Sequence, residues 1–264
     1  RGFHVFLDSY QESKRQLDFE ALDLRPFFPG ADVRFAGVWH RVADPFREPQ
    51  AALLSLRPRN AVGTQADKFR LGLLRLASMS RDANPEGAGA DCSLADVLAK
   101  TGLSDQMIDR FFRPLIGGIF FDPELRVSRR AFDFVFASLS RGQNCLPRAG
   151  IGAVAEQLAN AATASGAALR LGVRLSDLKP GPVALLAGEK QEQVEPKALV
   201  IATDAAEALK FLGDADYDGP KGNVGTMCLY FALPEDELPT KEPVLHLNGE
   251  LPATGAYGSL LMSS

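Results

Sequence analysis

The sequence predicts an α/β fold with some α+β character, and three observations support this prediction. From residue 150 to 204, an Ala- and Gly-rich helix is followed by short strands and a wholly apolar strand, as in an α/β layer. Between residues 44 and 142 the apolar residues recur at helical spacing, which predicts a helical block. Around residues 25–42 and after residue 224 the pattern changes to that of strands, which predicts a mixed sheet.

Composition limits the class of protein. The 264 residues are 46% hydrophobic and 23% charged, enough for one large or two modest domains. A net charge of -4 argues against nucleic acid or an acidic membrane surface as the main partner, because both would favour a basic protein. No apolar run reaches the roughly 18 residues of a membrane span. The three cysteines, Cys92, Cys145 and Cys228, have no metal-ligand spacing, which predicts a reducing compartment and no metal site. Because the chain lacks an initiator Met, we expect an internal piece of a longer protein.

The N-terminal quarter is predicted to alternate between strand and helix. The apolar stretch FHVF at residues 3–6 favours a short strand, and residues 10–24 favour a surface helix that ends near Leu22. Between residues 25 and 42 the residues alternate with period two on both sides of Ala36-Gly37. This pattern predicts a β-hairpin with a Gly turn.

Capping residues mark the starts of the helices in the central block. Suitable residues precede four helical segments, at Asp44, Thr64, Ser93 and Ser104. Pro45 suits the first helical position after Asp44. The helix after Thr64 is amphipathic, with an apolar stripe formed by Phe69, Leu73 and Leu76.

The segment RFFRPLIGGIFFDPEL, residues 110–125, is the densest aromatic stretch of the chain. Pro114 removes one helix N–H, and we expect Gly117-Gly118 to end the helix and allow backbone or ligand to approach closely. The stretch is open to three interpretations, namely core packing, a peripheral membrane contact and the wall of a pocket for an apolar ligand.

The last third is predicted to be rich in strands. Strands are expected at residues 168–179, 182–187 and 192–196, with a hairpin closed at Gly188-Glu189, and further strands at ALVIAT, VGTMCLYFAL, PVLHL and AYGSLLM. Ligands of open α/β sheets bind at the carboxyl ends of strands, so Ala202, Thr203 and Asp204 are candidate ligand neighbours. A buried strand without a ligand can end in the same way.

No catalytic residue can be assigned from the sequence. His4, His40 and His246 are isolated, and Ser9, Ser128 and Cys145 have no nucleophile motif. Asp122 and Glu124 beside Pro123 suit a turn better than paired acid–base work. This absence is compatible with chemistry carried by a cofactor.

Four segments together carry a family resemblance: RGFHVFLDSYQESKRQLD, DRFFRPLIGGIFFDPEL, LPRAGIGAVAEQLA, and LGVRLSDL followed by ALVIATD. The chain resembles the flavin amine oxidase superfamily, which includes phytoene desaturases and protoporphyrinogen oxidases. LPRAGIGAVAEQLA resembles a P-x-G-G-M-x-x-I pattern, with Ala149 where a Gly is common. The family's G-x-G-x-x-G loop and C-terminal flavin segment are not in the sequence, so we expect that these residues alone do not bind FAD tightly.

The resemblance implies a partial FAD-binding Rossmann-like domain, residues 1–10 and 143–210. The remainder, residues 11–142 and 211–264, would form the substrate-binding domain. Carried over by position, the cofactor contacts would be Gly2 and Phe3 beside the flavin, Leu175 at the adenine, and Ala202 and Thr203 along the cofactor channel. The expected substrate pocket consists of Phe112, Gly117, Phe120, Phe121 and Tyr230.

The function implied is an FAD-dependent dehydrogenase, desaturase or oxidase that transfers a hydride from an apolar, prenyl- or carotenoid-like substrate to flavin. The electron acceptor would be oxygen or a quinone, and the compartment the cytoplasm or a plastid. The alternative is a prenyl- or lipid-binding protein without flavin chemistry, because the Rab GDP-dissociation inhibitors share this scaffold.

Overall fold

A computed structural model describes residues 4–55, 60–179, 183–187, 191–212, 219, 224–237, 240, 242–250 and 259–261. The chain divides into two compact units, one of residues 1–158 and 227–264 and the other of residues 159–226. This division reflects only which residues pack together compactly. The functional assignment of residues 1–10 and 143–210 to the cofactor stays a prediction.

The helices account for most of the regular structure. They are α1 Gln11–Gln16, α2 Phe19–Leu22, α3 Pro49–Ser55, α4 Gln65–Ala83, α5 Leu94–Thr101, α6 Asp105–Met107, α7 Arg113–Phe120, α8 Arg129–Arg141, α9 Gly152–Ala164 and α10 Ala205–Leu212. A π-helical turn, Ile108–Phe112, joins α6 to α7. None of the helices in the described ranges has the length and apolar content needed to cross a membrane.

The strands form three small sheets. They are β1 Phe6–Leu7, β2 Leu24–Pro26, β3 Gly30–Phe35, β4 Val38–Ala43, β5 Asn144–Pro147, β6 Arg174–Lys179, β7 Val183–Ala187, β8 Gln191–Val194, β9 Leu245–Asn248 and β10 Ser259–Leu261. The sheet orders are β1-β5-β2, β10-β9-β3-β4 and β6-β7-β8. Strands β3 and β9 are parallel and the other pairs are antiparallel, so the predicted α/β character and mixed sheet are confirmed.

Local signals predicted most element boundaries correctly. The hairpin turns at Ala36-Gly37, where both residues have positive φ, 50° and 75°, as a tight hairpin turn requires. Thr64, Ser93, Ser104 and Ser128 cap α4, α5, α6 and α8 through hydrogen bonds from backbone N–H groups to their side-chain oxygens. The predicted turn at Gly188-Glu189 lies outside the described residues.

Two helix boundaries were predicted wrongly. The Asp44 carboxylate accepts the Phe46 N–H at 2.9 Å and forms a turn, and the helix begins only at Pro49. The helix after Pro114 does not end at Gly117-Gly118 but continues to Phe120. Gly117 is needed for a different reason, because a Cβ there would lie 3.2 Å from the Cα of Pro123 in the returning chain.

Two predicted strands do not form. Within the described residues, segments 199–203 and 224–233 belong to no strand. Val200, Met227 and Phe231 are exposed by 85%, 83% and 77%. An apolar run becomes a strand only when neighbouring strands pair with it, and the runs alone could not establish that pairing.

The main core lies between the β3/β9 part of the second sheet and helices α4 to α8. Phe112 and Phe132 are completely buried, and Phe132 stacks on Phe136 with ring centroids 5.0 Å apart. The ring centroid of Phe112 also lies 6.3 Å from that of Phe136 and 5.6 Å from that of Phe111. Phe112, near the start of the 110–125 segment, is therefore packed against the aromatic face of α8.

Candidate functional site

The first unit contains an apolar cavity of about 610 Å³ between the β3–β4 hairpin and the helices. Its inner wall includes Phe111 and Leu115 from the 110–125 segment and Phe136 and Leu139 from α8. The sheet contributes small or apolar residues on one face, Ala31, Val42 and Leu245. A cavity of this size and lining suits an apolar small molecule.

A π-helical turn lies in one part of this cavity wall. Phe111 and Leu115 stand four residues apart across the π-helical turn and α7. A π-helical turn widens one helical turn, and such turns are frequent at functional sites. The Arg113 N–H reaches back to the Ile108 carbonyl, five residues earlier, which is the hydrogen bond that defines this turn.

One side of the cavity carries a closed ionic cluster. The Asp44 carboxylate contacts Arg47 and Arg75, each at 2.8 Å. The Arg75 guanidinium also donates to the Ser140 carbonyl at 2.6 Å and lies 4.6 Å from the Phe46 ring centroid. The charged groups of Asp44, Arg47 and Arg75 are therefore all engaged in contacts within the protein.

The cluster does not supply a general base. Burial alone would raise the pKa of Asp44, but hydrogen bonds from the Phe46 N–H, Arg47 and Arg75 outweigh burial and lower it. The carboxylate therefore stays ionised and paired at neutral pH. A proton acceptor with a lowered pKa and two arginine partners is a poor base.

His246 is the buried imidazole that the sequence could not place. It is only 4% exposed, lies edge-on to Trp39 with ring centroids 4.6 Å apart, and has no hydrogen-bond partner for either nitrogen within the described residues. Burial lowers its pKa, Asp32 opposes this effect and Arg41 adds to it. Because side chains alternate along β9, His246 faces away from the cavity-lining Leu245.

The nucleophile candidates have structural partners. The Ser9 hydroxyl donates to the Ser138 carbonyl at 2.8 Å, and the Ser128 hydroxyl to Asp91 at 2.5 Å. Burial, together with the charge of the nearby Asp8, raises the pKa of the Cys145 thiol to about 12, so the thiol stays protonated. The Asp122 carboxylate accepts the Val127 N–H at 2.8 Å, as a turn residue does.

The structure separates the substrate-pocket candidates from the cavity. None of Phe112, Gly117, Phe120, Phe121 and Tyr230 lines it. Phe112 packs directly behind Phe111 and Phe136, which do. Phe120 packs against the core, Phe121 ends α7 in the left-handed conformation with φ 54°, and Tyr230 is 67% exposed.

The cofactor candidates that the structure describes lie in the second unit. Leu175 is half-buried on β6, where it is the register partner of Leu186, and the ladder shifts before Asp177. Ala202 and Thr203 are exposed just before α10. Gly2 and Phe3 lie outside the described residues.

The described lining of the cavity is mostly apolar, with a few polar and charged residues, as is usual for small-molecule sites. The model of the flavin containing amine oxidoreductase family matches residues 1–215. The chain therefore belongs to this family, whose cofactor is FAD, and the resemblance read from the sequence is confirmed. Comparisons with curated proteins and with solved structures gave no match.

The described residues do not form a complete FAD site. Gly150-Ile151-Gly152, between β5 and α9, is the closest approach to a phosphate-binding turn, but its Gly150 N–H donates to the Pro147 carbonyl and the Ala153 N–H to the Gly150 carbonyl. The Arg148 guanidinium beside this turn contacts the Asp23 carboxylate at 3.5 Å. The N–H groups of Gly150 and Ala153 and the Arg148 guanidinium are therefore used within the protein.

The second candidate anchor is the start of α10. The Asp204 carboxylate accepts the Glu207 N–H at 3.0 Å. A carboxylate already occupies the positive end of this helix, which disfavours a phosphate there.

Proposed function

We propose that the protein is an FAD-dependent oxidoreductase that removes a hydride from an apolar, prenyl- or carotenoid-like substrate bound in the cavity between the hairpin and α3, α4, α7 and α8. Family membership establishes the class of reaction. The apolar cavity of about 610 Å³ is the observation that supports this substrate class. Oxygen or a quinone would accept the electrons.

The chain's own residues would bind the substrate and exclude water. The inner wall, with Phe111 and Phe136, offers aromatic surface, and Asp44, Arg47 and Arg75 satisfy one another rather than attracting a polar ligand. Such a site holds a substrate through apolar contact area. The hydride would pass to the flavin, which supplies the redox chemistry in this family.

The five substrate-pocket residues predicted from the resemblance remain part of the proposal. For Phe112 the supporting observation is its contact with Phe111 and Phe136, through which it would position the cavity wall. The remaining four, Gly117, Phe120, Phe121 and Tyr230, rest on the resemblance alone. The cofactor contacts Leu175, Ala202 and Thr203 rest on it as well.

Flavin content is the direct test of the reaction class. The purified full-length protein should show flavin absorbance, or its melting temperature should rise when FAD is added, because a ligand that binds only the folded state stabilises it. Residues 1–264 alone should not retain stoichiometric FAD, since the family's G-x-G-x-x-G loop is not in this sequence. A full-length protein that shows neither flavin absorbance nor stabilisation, yet binds a prenyl compound, would replace the oxidoreductase with the lipid-binding alternative.

A further inference from the structure

Several polar residues of the cavity lining gather where α8 ends. They are Asp44, Arg47, Arg75, Ser140 and Asn144. The last turn of a helix leaves carbonyl groups without partners inside the helix. In α8 the two arginines supply these partners. Arg47 donates to the Leu139 and Gly142 carbonyls, and Arg75 donates to the Ser140 carbonyl.

Most of the polar side chains in this lining are already engaged within the protein. The guanidinium groups of Arg47 and Arg75 both contact the Asp44 carboxylate in addition to the α8 carbonyls. The Ser140 hydroxyl donates to the Phe136 carbonyl at 2.7 Å. Gln65 and Lys68, in the first turn of α4, also take part in interactions of their own.

Asn144 differs from these residues. It is half-buried at the start of β5, where its backbone is the register partner of Leu7 and its carbonyl accepts the Phe27 N–H at 2.7 Å. Its side-chain amide has no hydrogen-bond partner in the part of the chain that the structure describes. Among the described polar side chains of the lining, Asn144 is therefore the one left free to bind a ligand.

The chemistry of an amide limits which ligand group suits this position. A side-chain amide has an acceptor oxygen and a donor NH₂ group, so it can bind a hydroxyl or a carbonyl. A hydrocarbon at the same place would displace water from the amide and leave it without a partner, which weakens binding. A carboxylate is not favoured, because Asp44 and the α8 carbonyls already occupy the two arginines.

We propose that Asn144 is a specificity-determining residue that hydrogen-bonds a neutral oxygen group, a hydroxyl or a carbonyl, on an otherwise apolar substrate. The apolar part of the substrate would lie against Phe111, Leu115 and Phe136. A polar contact at one end fixes the direction in which an elongated ligand lies. This inference rests on the proposed function, in which the cavity binds the substrate, and adds the polar group that the substrate carries.

Competition against radiolabelled geranylgeraniol in the full-length protein tests the proposal. Two unlabelled competitors are compared in the same detergent, the alcohol itself and the hydrocarbon in which hydrogen replaces its hydroxyl group. The wild type should bind the alcohol roughly tenfold more tightly than the hydrocarbon. Asn144→Leu should bind the two with affinities within about threefold of each other, because leucine has no polar side-chain atom.

Gln143→Leu is the matched control, because it replaces a side-chain amide by leucine at the preceding position. Gln143 is exposed and is not among the described residues that line the cavity. This variant should keep the roughly tenfold preference for the alcohol. Melting temperatures show that both variants fold, and Asn144→Leu should melt close to the wild type because it loses no side-chain hydrogen bond within the described protein.

Three results would overturn the proposal while the cavity still binds the apolar chain, so that the proposed function stands. The first is equal affinity of the wild type for the alcohol and the hydrocarbon, a result that needs no variant. The second is an unchanged preference for the alcohol in Asn144→Leu. The third is tighter binding of the corresponding carboxylic acid than of the alcohol, which would assign the polar contact to the arginines. A wild type that binds neither competitor would contradict the proposed substrate site and this inference together.

Discussion

Asp67 connects the starts of two helices through a single buried carboxylate. It accepts hydrogen bonds from the backbone N–H and the hydroxyl of Thr64, at 2.7 and 2.8 Å, and from the same two groups of Ser104, both at 2.7 Å. Thr64 caps α4 and Ser104 caps α6. Burial alone would raise the pKa of Asp67, but hydrogen bonds from Ser104 and Thr64 outweigh burial and lower it, so the ionised form is stabilised.

Removing this carboxylate should be costly. Asp67→Ala removes a buried acceptor that four N–H and O–H groups of Thr64 and Ser104 share, and we expect a loss of about 2 kcal/mol in the free energy of unfolding. Asp96 is the matched control because it occupies the same third helical position, behind Ser93, but is exposed. Asp96→Ala should cost about 1 kcal/mol or less. Equal losses in urea unfolding would show that the buried network adds nothing.

The sequence indicated the capping role of Thr64 but not the link to Ser104. A cap depends on residues within four positions, whereas Asp67 and Ser104 are 37 positions apart. The same limit applies to His246, whose burial against Trp39 depends on β9 pairing with β3. Residue-level predictions were therefore reliable for local hydrogen bonds and silent on contacts between distant segments.

At the scale of elements, the segment 110–125 was predicted as helical but its glycines were given the wrong role. Helix α7 passes through Gly117-Gly118 and ends at Phe120, with Phe121 as its C-cap. The turn that follows is held by the Arg113 guanidinium, which donates to the Pro123 carbonyl at 2.7 Å. Sequence alone could not distinguish a glycine that ends a helix from one that allows a returning chain to approach it.

Alanine substitutions separate these two roles of glycine. In Gly117→Ala the new Cβ would lie 3.2 Å from the Pro123 Cα and 3.3 Å from the Asp122 carbonyl oxygen, and we expect a loss of roughly 1–3 kcal/mol. Gly72 lies inside α4, and a Cβ there meets no atom within 4 Å. Gly72→Ala should therefore stabilise the protein by up to about 1 kcal/mol. Thermal unfolding that shows both variants stabilised would contradict the close approach at Gly117.

At the scale of the whole molecule, the fold class followed from the sequence but the position of the cavity did not. Its wall combines β3, β4, α3, α4, α7 and α8, and these elements are brought together by the pairing of β3 with β9, about 210 positions apart. Phe111 and Leu115 were recognised as neighbours on one helix, with core packing as an alternative explanation. Only the tertiary structure shows that they face an apolar space.

The strands predicted at 199–203 and 224–233 do not form, and these predictions failed for the same reason. Each run is apolar enough for a strand, and its exposure in the described structure reflects the absence of paired neighbours there. A hydrophobic run is stabilised when it is buried, but the segments that bury it are determined by the whole fold. The predicted cofactor contacts Ala202 and Thr203 depend on this region and therefore remain to be tested.

The central claim is that the cavity lined by Phe111, Leu115 and Phe136 binds the apolar substrate, and Gly72 gives the sharpest test of it. Gly72 lines this cavity from α4. In Gly72→Leu the added side chain would occupy part of the space without displacing backbone, whereas Gly72→Ala adds only a methyl group.

The decisive measurement is the dissociation constant for radiolabelled geranylgeraniol, used as an apolar probe, in the full-length wild type and both variants. We predict that Gly72→Leu weakens binding roughly tenfold or more, that Gly72→Ala changes it little, and that flavin absorbance per protein is the same in all three. Equal affinities in the three proteins, with equal flavin content, would contradict the assignment of this cavity as the substrate site.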